Sequence, residues 1–287
     1  MSRKASWCLP VATAGCVLLS LPARADRDPL SGAPLPPDQQ REIPSPITDR
    51  FYVRGTFFDP AVTTTVRVDT QNGTAMGTPV SAERDLGLSG RTPQGLFEAM
   101  FRLRKRSKVR VNFFESNRKG DELLTRPILF GNVMFVPGDR ATSALDWRAF
   151  TITYTYSFIR TDRLELGTGL ALHMLEADAR AAVTARQLSQ EITGAGAFPT
   201  IPLDFAWRIS RRFAFTARGQ YLRASIRGFE GALADYHGDV QYRWKPNVAL
   251  GAGYSALRSS LDVSNATYPG RFSLNVRGPE AFFRVSF

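Results

Sequence analysis

Apolar and polar residues alternate along the chain between Trp147 and Met174. One face of the first segment carries Phe150, Ile152, Tyr154, Tyr156 and Phe158, and the odd positions between them are threonine or serine. After a polar break at 160–162, one face carries Leu164, Leu166, Leu170, Leu172 and Met174. Such a period of two places successive side chains on opposite faces of a β-strand. Both runs are longer than a typical strand of a soluble protein, and they fit tilted strands that cross a bilayer.

The same alternation recurs over most of the chain after residue 50. We identify ten strand signals, at about 51–69, 95–104, 108–117, 145–159, 163–175, 200–209, 212–226, 231–244, 247–260 and 270–287. Short turns near 105–107, 160–162, 210–211 and 245–247 alternate with longer connections at about 70–94, 118–144, 176–199 and 261–269. Short turns at one rim and long loops at the other are typical of membrane barrels. The sequence therefore predicts an all-β fold, a closed antiparallel transmembrane β-barrel with short periplasmic turns and long outer loops.

The strand number has three readings. Ten is even, as a barrel requires when both ends of its chain lie at the short-turn rim. Eight strands result if the weak first strand or the ragged region 127–137 is misread, and twelve result if Ile128–Val136 pairs as a further hairpin. The first and last strands also change parity, at 59–60 and at 278–279. We expect matched β-bulges there, because Gly and Pro are tolerated at bulges.

Alternation alone does not say which face is inside, since a soluble barrel turns its apolar face inward. The apolar positions of the presumed band carry no charge, as they should where one Arg or Lys costs about 2–4 kcal/mol at the bilayer midplane. Aromatic residues gather beside the short turns, where an interfacial girdle belongs; they include Phe158, Trp207, Phe213, Trp244 and Phe287. We therefore predict that the apolar face points outward to lipid.

The first 48 residues are predicted to lie outside the barrel, which we assign to 49–287. Residues 1–25 have the three parts of a cleaved signal peptide: a basic start, an apolar stretch and the small-x-small sequence Ala23-Arg24-Ala25. Ala14-Gly15-Cys16 also resembles a lipobox, which leaves a lipoprotein as an alternative. Residues 26–48 contain six prolines. This composition predicts a Pro-rich periplasmic spacer.

Cysteine content and charge narrow the function classes. Cys8 and Cys16 both lie in the predicted leader, so the mature chain would have no disulfide, catalytic thiol or cysteine metal site. The chain has 37 basic and 26 acidic residues, and loss of the three basic residues of the leader leaves a net charge of +8. For an exported protein we expect contact with outer-membrane lipid and lipopolysaccharide, and none with nucleic acid.

Charged residues on the inward face form the candidate site. In a barrel of about eight strands the side chains already fill the interior, and a barrel of ten strands is only slightly wider. Long ionic side chains would therefore reach across its lumen and pair with one another. The residues assigned to the lumen are Arg54, Glu98, Arg102, Arg110, Arg163, Glu165, Asp204, Arg208, Arg218, Asp239, Arg243, Glu280 and Arg284. We predict an ion-pair network that closes the lumen. The excess of Arg over acid leaves open a narrow pore for anions.

The last strand carries a recognisable signature. Ala281, Phe283, Val285 and Phe287 alternate up to a terminal Phe. This ending resembles the C-terminal signature of bacterial outer-membrane proteins, and the pattern of 51–287 resembles the small OmpA/OmpW-type barrels. The resemblance implies location in the cell outer membrane, escort by periplasmic chaperones and insertion by the barrel-assembly machinery. In this reading the four residues are the assembly signal.

The sequence shows no catalytic or metal-binding constellation. The histidines are His173 and His237, and Asp235-Tyr236-His237 has the Asp-x-His spacing of omptin-type proteases. The second paired-carboxylate element of those enzymes is missing, and neither histidine is part of the His-x-Ser sequence of outer-membrane lipases. Two isolated histidines give no metal-ligand spacing. We predict no enzyme, no cofactor and no metal.

Three functions fit these observations. The first is an integral outer-membrane barrel, a monomer with an ion-paired lumen and a structural or surface-interaction role. The alternative is a narrow porin-like channel for small anionic or hydrophobic solutes. The third is a membrane-embedded hydrolase.

Overall fold

A computed structural model describes residues 44–183, 187–226, 229–264 and 269–287. The predicted signal peptide and residues 26–43 of the predicted spacer lie outside these ranges. The strands are β1 (Phe51–Phe58), β2 (Ala61–Val68), β3 (Val80–Ser81), β4 (Gln94–Arg104), β5 (Ser107–Leu123), β6 (Ile128–Phe130), β7 (Val133–Phe135), β8 (Arg140–Arg160), β9 (Leu164–Val183), β10 (Leu188–Arg208), β11 (Phe213–Ile226), β12 (Phe229–Lys245), β13 (Val248–Val263) and β14 (Gly270–Ser286). A short helix, α1, covers Ala82–Asp85, and a 3-10 turn covers Gln71–Gly73. In these ranges no helix is both long and apolar enough to span a membrane.

The long strands close into one barrel. Strands β4, β5 and β8 to β14 pair antiparallel in chain order, β4 pairs with β1, and β14 pairs back with both β1 and β2. Strands β1 and β2 form one wall strand with a break at Pro60, which has no N–H for the ladder. Counted this way, the described residues form a wall of ten strands. The predicted closed antiparallel barrel is confirmed.

The connections agree with the prediction at one end of the barrel and differ at the other. The four short turns join β4 to β5, β8 to β9, β10 to β11 and β12 to β13 at one rim, the short-turn end. The predicted long loop at 176–199 is wrong, because β9 and β10 pair through it up to Val183 and Leu188. The inward positions of β9 there are mostly small, at Ala177, Ala179 and Ala181, and the outward ones are charged, so no large apolar side chains mark a strand in the sequence. Cross-strand pairs such as Arg180 and Glu191, 2.9 Å apart, stabilise the sheet there instead.

The region 128–136 forms a hairpin that is not part of the wall. Strands β6 and β7 pair only with each other, in a separate two-stranded sheet. The twelve-strand reading is therefore wrong. The eight-strand reading fails as well, because the first strand pairs on both sides.

The parity change in the first and last strands has another cause than a bulge. Phe58 faces Glu280 and Ala61 faces Arg277, so two residues intervene on both strands and the register continues. The predicted matched bulges are wrong. Instead, the apolar residues move from the outer face to the inner one: Phe57 is 59% exposed, whereas Val62 is buried.

The outer face confirms the predicted apolar band. Its exposed residues include Phe97, Phe101, Leu103, Phe113, Ile152, Tyr154, Tyr156, Phe158, Leu203, Trp207, Phe213 and Trp244. Phe150 pairs with Phe113 and Met174 at one level, and the next outward level is Arg148 with Glu115 and Glu176. From that boundary to Phe158 the band is about 20 Å tall, for a rise of ~3.3 Å per residue and a strand tilt of ~40°. This height is close to the ~25 Å of a membrane barrel.

Four strands continue well beyond the band and form an extension, made of residues 115–123, 140–149, 175–183 and 188–196. Its outer face carries ion pairs between neighbouring strands. Arg148 lies 3.2 Å from Glu115, and Arg140 lies 2.8 Å from Asp121. Charged pairs of this kind belong in water, so the band ends where they begin.

Two leucines offer a matched test of the band. Leu203 lies at mid-height of the band on β10, Leu123 lies at the far end of β5, and they are 53% and 57% exposed. We expect Leu203→Arg to lower the free energy of unfolding in lipid vesicles by about 2–4 kcal/mol. Leu123→Arg should change it by less than about 0.5 kcal/mol. Urea titration measures both, and equal losses would contradict a lipid-facing band.

Candidate functional site

The chain itself closes the lumen at the short-turn end. Residues 44–48, which the sequence analysis assigns to the spacer, form a turn in which Ile47 is only 1% exposed. Asp49 follows and binds two cations, Arg243 at 2.7 Å and Arg284 at 2.6 Å. Arg102 donates to the backbone oxygens of Pro46 and Asp49 at 3.3 and 3.2 Å. The turn is thus held in the mouth by three arginines of the wall.

The next layer joins side chains from opposite parts of the wall. Arg102 forms a two-pronged ion pair with Glu165, at 2.8 and 3.0 Å. Asp204 accepts from Arg110 and lies 3.2 Å from the Lys108 ammonium group. All five side chains are buried. Each pair spans two intervening strands of the wall, so the layer ties β4 to β9 and β5 to β10 through the lumen.

A second ionic layer lies farther from the short-turn end. Glu98 accepts from the Tyr52 hydroxyl at 2.5 Å and from Arg218. The Arg54 guanidinium bridges two carboxylates, Asp239 at 2.8 Å and Glu280. These pairs connect β1, β4, β11, β12 and β14. Their removal from water is compensated by contacts of opposite charge on nearly every side.

His237 joins this second layer. Its Nε2 lies 2.7 Å from Asp239, and its Nδ1 lies 2.9 Å from the Ser255 hydroxyl on the neighbouring strand. The order Ser255, His237, Asp239 resembles that of a nucleophilic triad. However, the Ser255 hydroxyl donates to Glu280 at 2.7 Å, which leaves Nδ1 to donate to Ser255. A serine nucleophile needs that nitrogen as a proton acceptor, so the contacts do not activate Ser255.

The same cluster has the residue types of a metal site. His237, Asp239 and Glu280 place three potential ligand atoms within 4.8 Å of one another. The Arg54 guanidinium already contacts both carboxylates and supplies the positive charge that a metal ion would bring. The arrangement is that of an ion-pair cluster.

The second histidine lies in a network of uncharged groups. His173 contacts Thr151 on β8 at 3.1 Å, Thr200 on β10 at 3.1 Å and Gln220 on β11 at 2.7 Å. Thr200 also donates to Gln220 at 2.8 Å. The ring, which β9 carries, is therefore held on both nitrogens by side chains of three other strands.

Above the second ionic layer the lumen contains a chamber of about 170 Å³. Its floor carries polar and charged groups, among them Arg54, Glu98, His173, Arg218 and His237. Its upper walls are apolar and include Phe58, Leu96, Phe114, Leu175, Leu257 and Val276. The same apolar residues pack against Trp147 and Leu274, which form the roof.

The long-loop end is covered by a lid, which we define as residues 69–93 and the β6–β7 hairpin. Val80, Ile128 and Phe135 of the lid pack against Ala141 and Val183 on the inner faces of β8 and β9. The lid thus buries its apolar side chains inside the extension.

Ionic contacts also fix the lid. Glu83 of α1 binds Arg118 of the wall at 2.7 Å and accepts from the Thr64 backbone at 2.8 Å. Burial alone would raise the pKa of the Asp85 carboxyl, but hydrogen bonds from Arg126 and from the Ser81 N–H outweigh it and hold this pKa below its usual value. These two bonds are therefore intact at neutral pH and weaken only as the pH falls through that lowered pKa.

The structure brings most of the sequence-predicted lumen residues together. Buried or half-buried inside the wall are Arg54, Glu98, Arg102, Arg110, Glu165, Asp204, Arg218, Asp239, Arg243, Glu280 and Arg284. Arg163 is a correction: it is exposed in the turn before β9, because the strand whose parity placed it inside begins one residue later. Arg208 lies half-buried at the end of β10 and forms no ion pair with any residue that the structure describes.

Other members of the site escape the sequence pattern. Asp49 precedes the first strand, so strand parity says nothing about it. Ser255 meets His237 only through the pairing of β12 with β13, eighteen residues apart in sequence. Lys108 belongs to the charged inward face by its parity in the sequence, and Tyr52 has the same inward parity, which was the available signal for it.

The four C-terminal signature residues lie on the outward parity of β14. Phe283 and Phe287 are exposed, and the Phe287 ring lies 6.0 Å from that of Phe51. The Phe287 carbonyl accepts from the Phe51 N–H at 3.1 Å, which closes the barrel at its seam. Their role as an assembly signal stays a prediction.

Comparison of sequences gives no relative. No family model matches the chain, and no curated protein matches it. The fold therefore has to be compared by structure.

Comparison with solved structures finds bacterial outer-membrane barrels. The outer-membrane protease OmpT from Escherichia coli is 11% identical with a TM-score of 0.53, over 85% of this chain and 98% of that one. The outer membrane protein OprG from Pseudomonas aeruginosa is 12% identical with a TM-score of 0.38, over 82% and 92%. Ail, the attachment invasion locus protein of Yersinia pestis, is 8% identical with a TM-score of 0.34, over 80% and 98%. The likeness to OmpT concerns the fold alone, and it agrees with the apolar band and the closed wall: the chain folds as an outer-membrane β-barrel, as the resemblance to small OmpA/OmpW-type barrels implied.

Proposed function

We propose that the protein is a non-conducting outer-membrane barrel with a structural or surface-interaction role, exported with a cleaved leader. The observation that carries the proposal is the closure of the lumen at three levels. Asp49 with its two arginines closes the mouth, Arg102 with Glu165 crosses the lumen above it, and the lid covers the other end. The extension then presents a charged, rigid surface beyond the membrane.

The balance of charges inside the wall also disfavours a pore for anions. Eight cations take part in the internal pairs: Arg54, Arg102, Lys108, Arg110, Arg118, Arg218, Arg243 and Arg284. Seven carboxylates face them: Asp49, Glu83, Glu98, Glu165, Asp204, Asp239 and Glu280. The excess of cations that suggested an anion path falls to one among these pairs once Asp49 and Glu83 are counted and Arg163 is not.

The partners of this barrel follow from its surface. The lipid band fits outer-membrane lipid, and the basic chain fits the phosphates of lipopolysaccharide. The C-terminal residues Ala281, Phe283, Val285 and Phe287 are available on the outer face for the chaperones and the barrel-assembly machinery. We propose a monomer, because each wall strand has a neighbour on both sides within one chain.

Conductance tests the closed lumen. We expect the purified protein to show no current steps in planar bilayers. The double variant Glu98→Ala/Arg218→Ala should be equally silent, because the layer of Arg102 and Glu165 still crosses the lumen.

The control for this test is Glu115→Ala/Arg148→Ala, which removes an ion pair from the outer face of the extension. Steady wild-type currents that Glu98→Ala/Arg218→Ala alters and the control does not would contradict the proposal and establish the channel alternative.

The free energy of unfolding shows how much the internal ion pairs stabilise the barrel. Arg102 and Glu165 have side chains only 4% and 1% exposed. Arg102→Met leaves the Glu165 carboxylate with the Ser157 hydroxyl and the more distant Lys108 ammonium group, 3.9 Å away, as its remaining partners. We expect a loss of about 3–5 kcal/mol in the free energy of unfolding.

Two further variants make this result specific. Adding Glu165→Gln to Arg102→Met removes the enclosed charge and should recover part of the loss. Arg148→Met breaks a pair whose side chains are 57% and 39% exposed and should cost less than about 1 kcal/mol. Similar losses in Arg102→Met and Arg148→Met, read from urea titrations in lipid vesicles, are the outcome at odds with a sealed ionic lumen.

A further inference from the structure

The chamber has no role in closing the barrel, since closed layers lie on both sides of it. It lies between the second ionic layer below and the apolar residues around Trp147 above. An apolar cavity of about 150 Å³ is large enough to bind benzene. The chamber, at about 170 Å³, therefore has room for one molecule with a body the size of a six-membered ring.

The charges around the chamber do not balance. Arg218 is paired with Glu98, and Arg54 is shared between Asp239 and Glu280. Asp235 lines the chamber as well, and it forms no hydrogen bond or ion pair with any described residue. The chamber is therefore lined by three carboxylates, Glu98, Asp235 and Glu280, against two guanidinium groups, and Asp235 is the one without a partner among the described residues.

The position of Asp235 keeps it away from the cations below. Its cross-strand neighbours are Gln220 and Leu257, one inward position farther from the short-turn end than His237. The surplus positive charge of the lumen lies in the opposite direction, around Arg102 and Arg110. Asp235 thus stands where the polar floor meets the apolar walls.

We propose that the chamber is a binding site for a small organic cation, a primary amine on an apolar body about the size of a benzene ring. Its ammonium group would pair with the Asp235 carboxylate, and its body would lie against the apolar walls. An enclosed ammonium group requires such a partner. The aromatic walls at Phe58 and Phe114 suit a cation as well, because the face of an aromatic ring carries negative potential.

Other ligand classes fit less well. A carboxylate or phosphate ligand would add negative charge to a chamber that already has too much. A neutral ring would fill the volume and leave Asp235 without a partner. Only an amphipathic cation uses the apolar walls and the free carboxylate together.

Three probes of equal size test this assignment: benzylamine, benzyl alcohol and benzoate. Each is present while the full-length barrel refolds into lipid nanodiscs, so that the closed lumen does not prevent entry. The measured quantity is the shift of the thermal unfolding midpoint as a function of probe concentration. We expect the largest shift with benzylamine, a smaller one with benzyl alcohol and none with benzoate.

Variants locate the site. Asp235→Asn keeps the shape of the side chain, so benzylamine affinity should fall about tenfold or more, to the level of benzyl alcohol. Leu257→Phe narrows the chamber, so both shifts should shrink. Glu230→Gln changes an exposed acid on the same strand as Asp235 and should leave all shifts as in the wild type.

The possible results separate clearly. Equal shifts with benzylamine and benzyl alcohol in the wild type, or a benzylamine shift that survives both Asp235→Asn and Leu257→Phe, would overturn the site. A benzoate shift above that of benzylamine would overturn the sign of the charge. Binding in the chamber is independent of conductance, so a conducting wild type would refute the closed lumen and leave this inference intact.

Discussion

A charge enclosed in a narrow protein lumen needs a partner of opposite sign, because the loss of water is compensated only by close and well-oriented pairs. This constraint organises the barrel from one end to the other. Asp49 meets two arginines at the mouth, Arg102 and Glu165 meet above them, and Glu83 of the lid meets Arg118 near the far end. Each pair joins elements that are distant in sequence. The pairs therefore fix the turn at 44–48 and the lid as well as the wall.

The two faces of the wall exchange character at the edge of the lipid band. Within the band the outer face is apolar, since lipid surrounds it, and the inner face is ionic. Beyond the band the outer face meets water, so the strand buries its apolar residues inside, as in a soluble barrel. Strand β14 shows both states: Phe283 points to lipid, whereas Leu274 and Val276 lie in the interior cluster. The register of β14 with its neighbours is continuous through this change, so solvent alone explains it.

This exchange also explains how far the sequence predicts the fold. Alternation identified the wall and its four short turns, because in the band each strand has one clean apolar face. It failed in the extension, where the outward residues such as Asp178 and Arg180 are charged and the inward ones are mostly small alanines, so these strand segments were read as loops. It also misread the parity change at Gly278-Pro279 as a bulge. The sequence pattern shows which residues of a strand are apolar. Whether an outward residue meets lipid or water depends on its height relative to the membrane, which the pattern does not give.

The candidate site was predictable to the same limited depth. Parity placed Glu98 and Arg218 inside correctly, since both lie well within strands. It gave no information on Asp49, which precedes the strands, and it misplaced Arg163, which lies in a turn. Which acid pairs with which arginine depends on the strand register and on the width of the lumen. Neither the strand register nor the width of the lumen can be derived from a local sequence pattern.

The chamber lies at the height where the interior itself changes from ionic to apolar. The polar side chains at the top of an ionic layer need hydrogen-bond partners above them. The apolar roof contains no groups that could serve as such partners. The two layers therefore pack poorly against each other, and a gap between them is a consequence of the exchange of faces. Asp235 lies at this junction with an apolar neighbour, Leu257, on one side and a polar one, Gln220, on the other. A molecule that completes both layers has to be amphipathic, and the sign of the free carboxylate makes its polar end a cation.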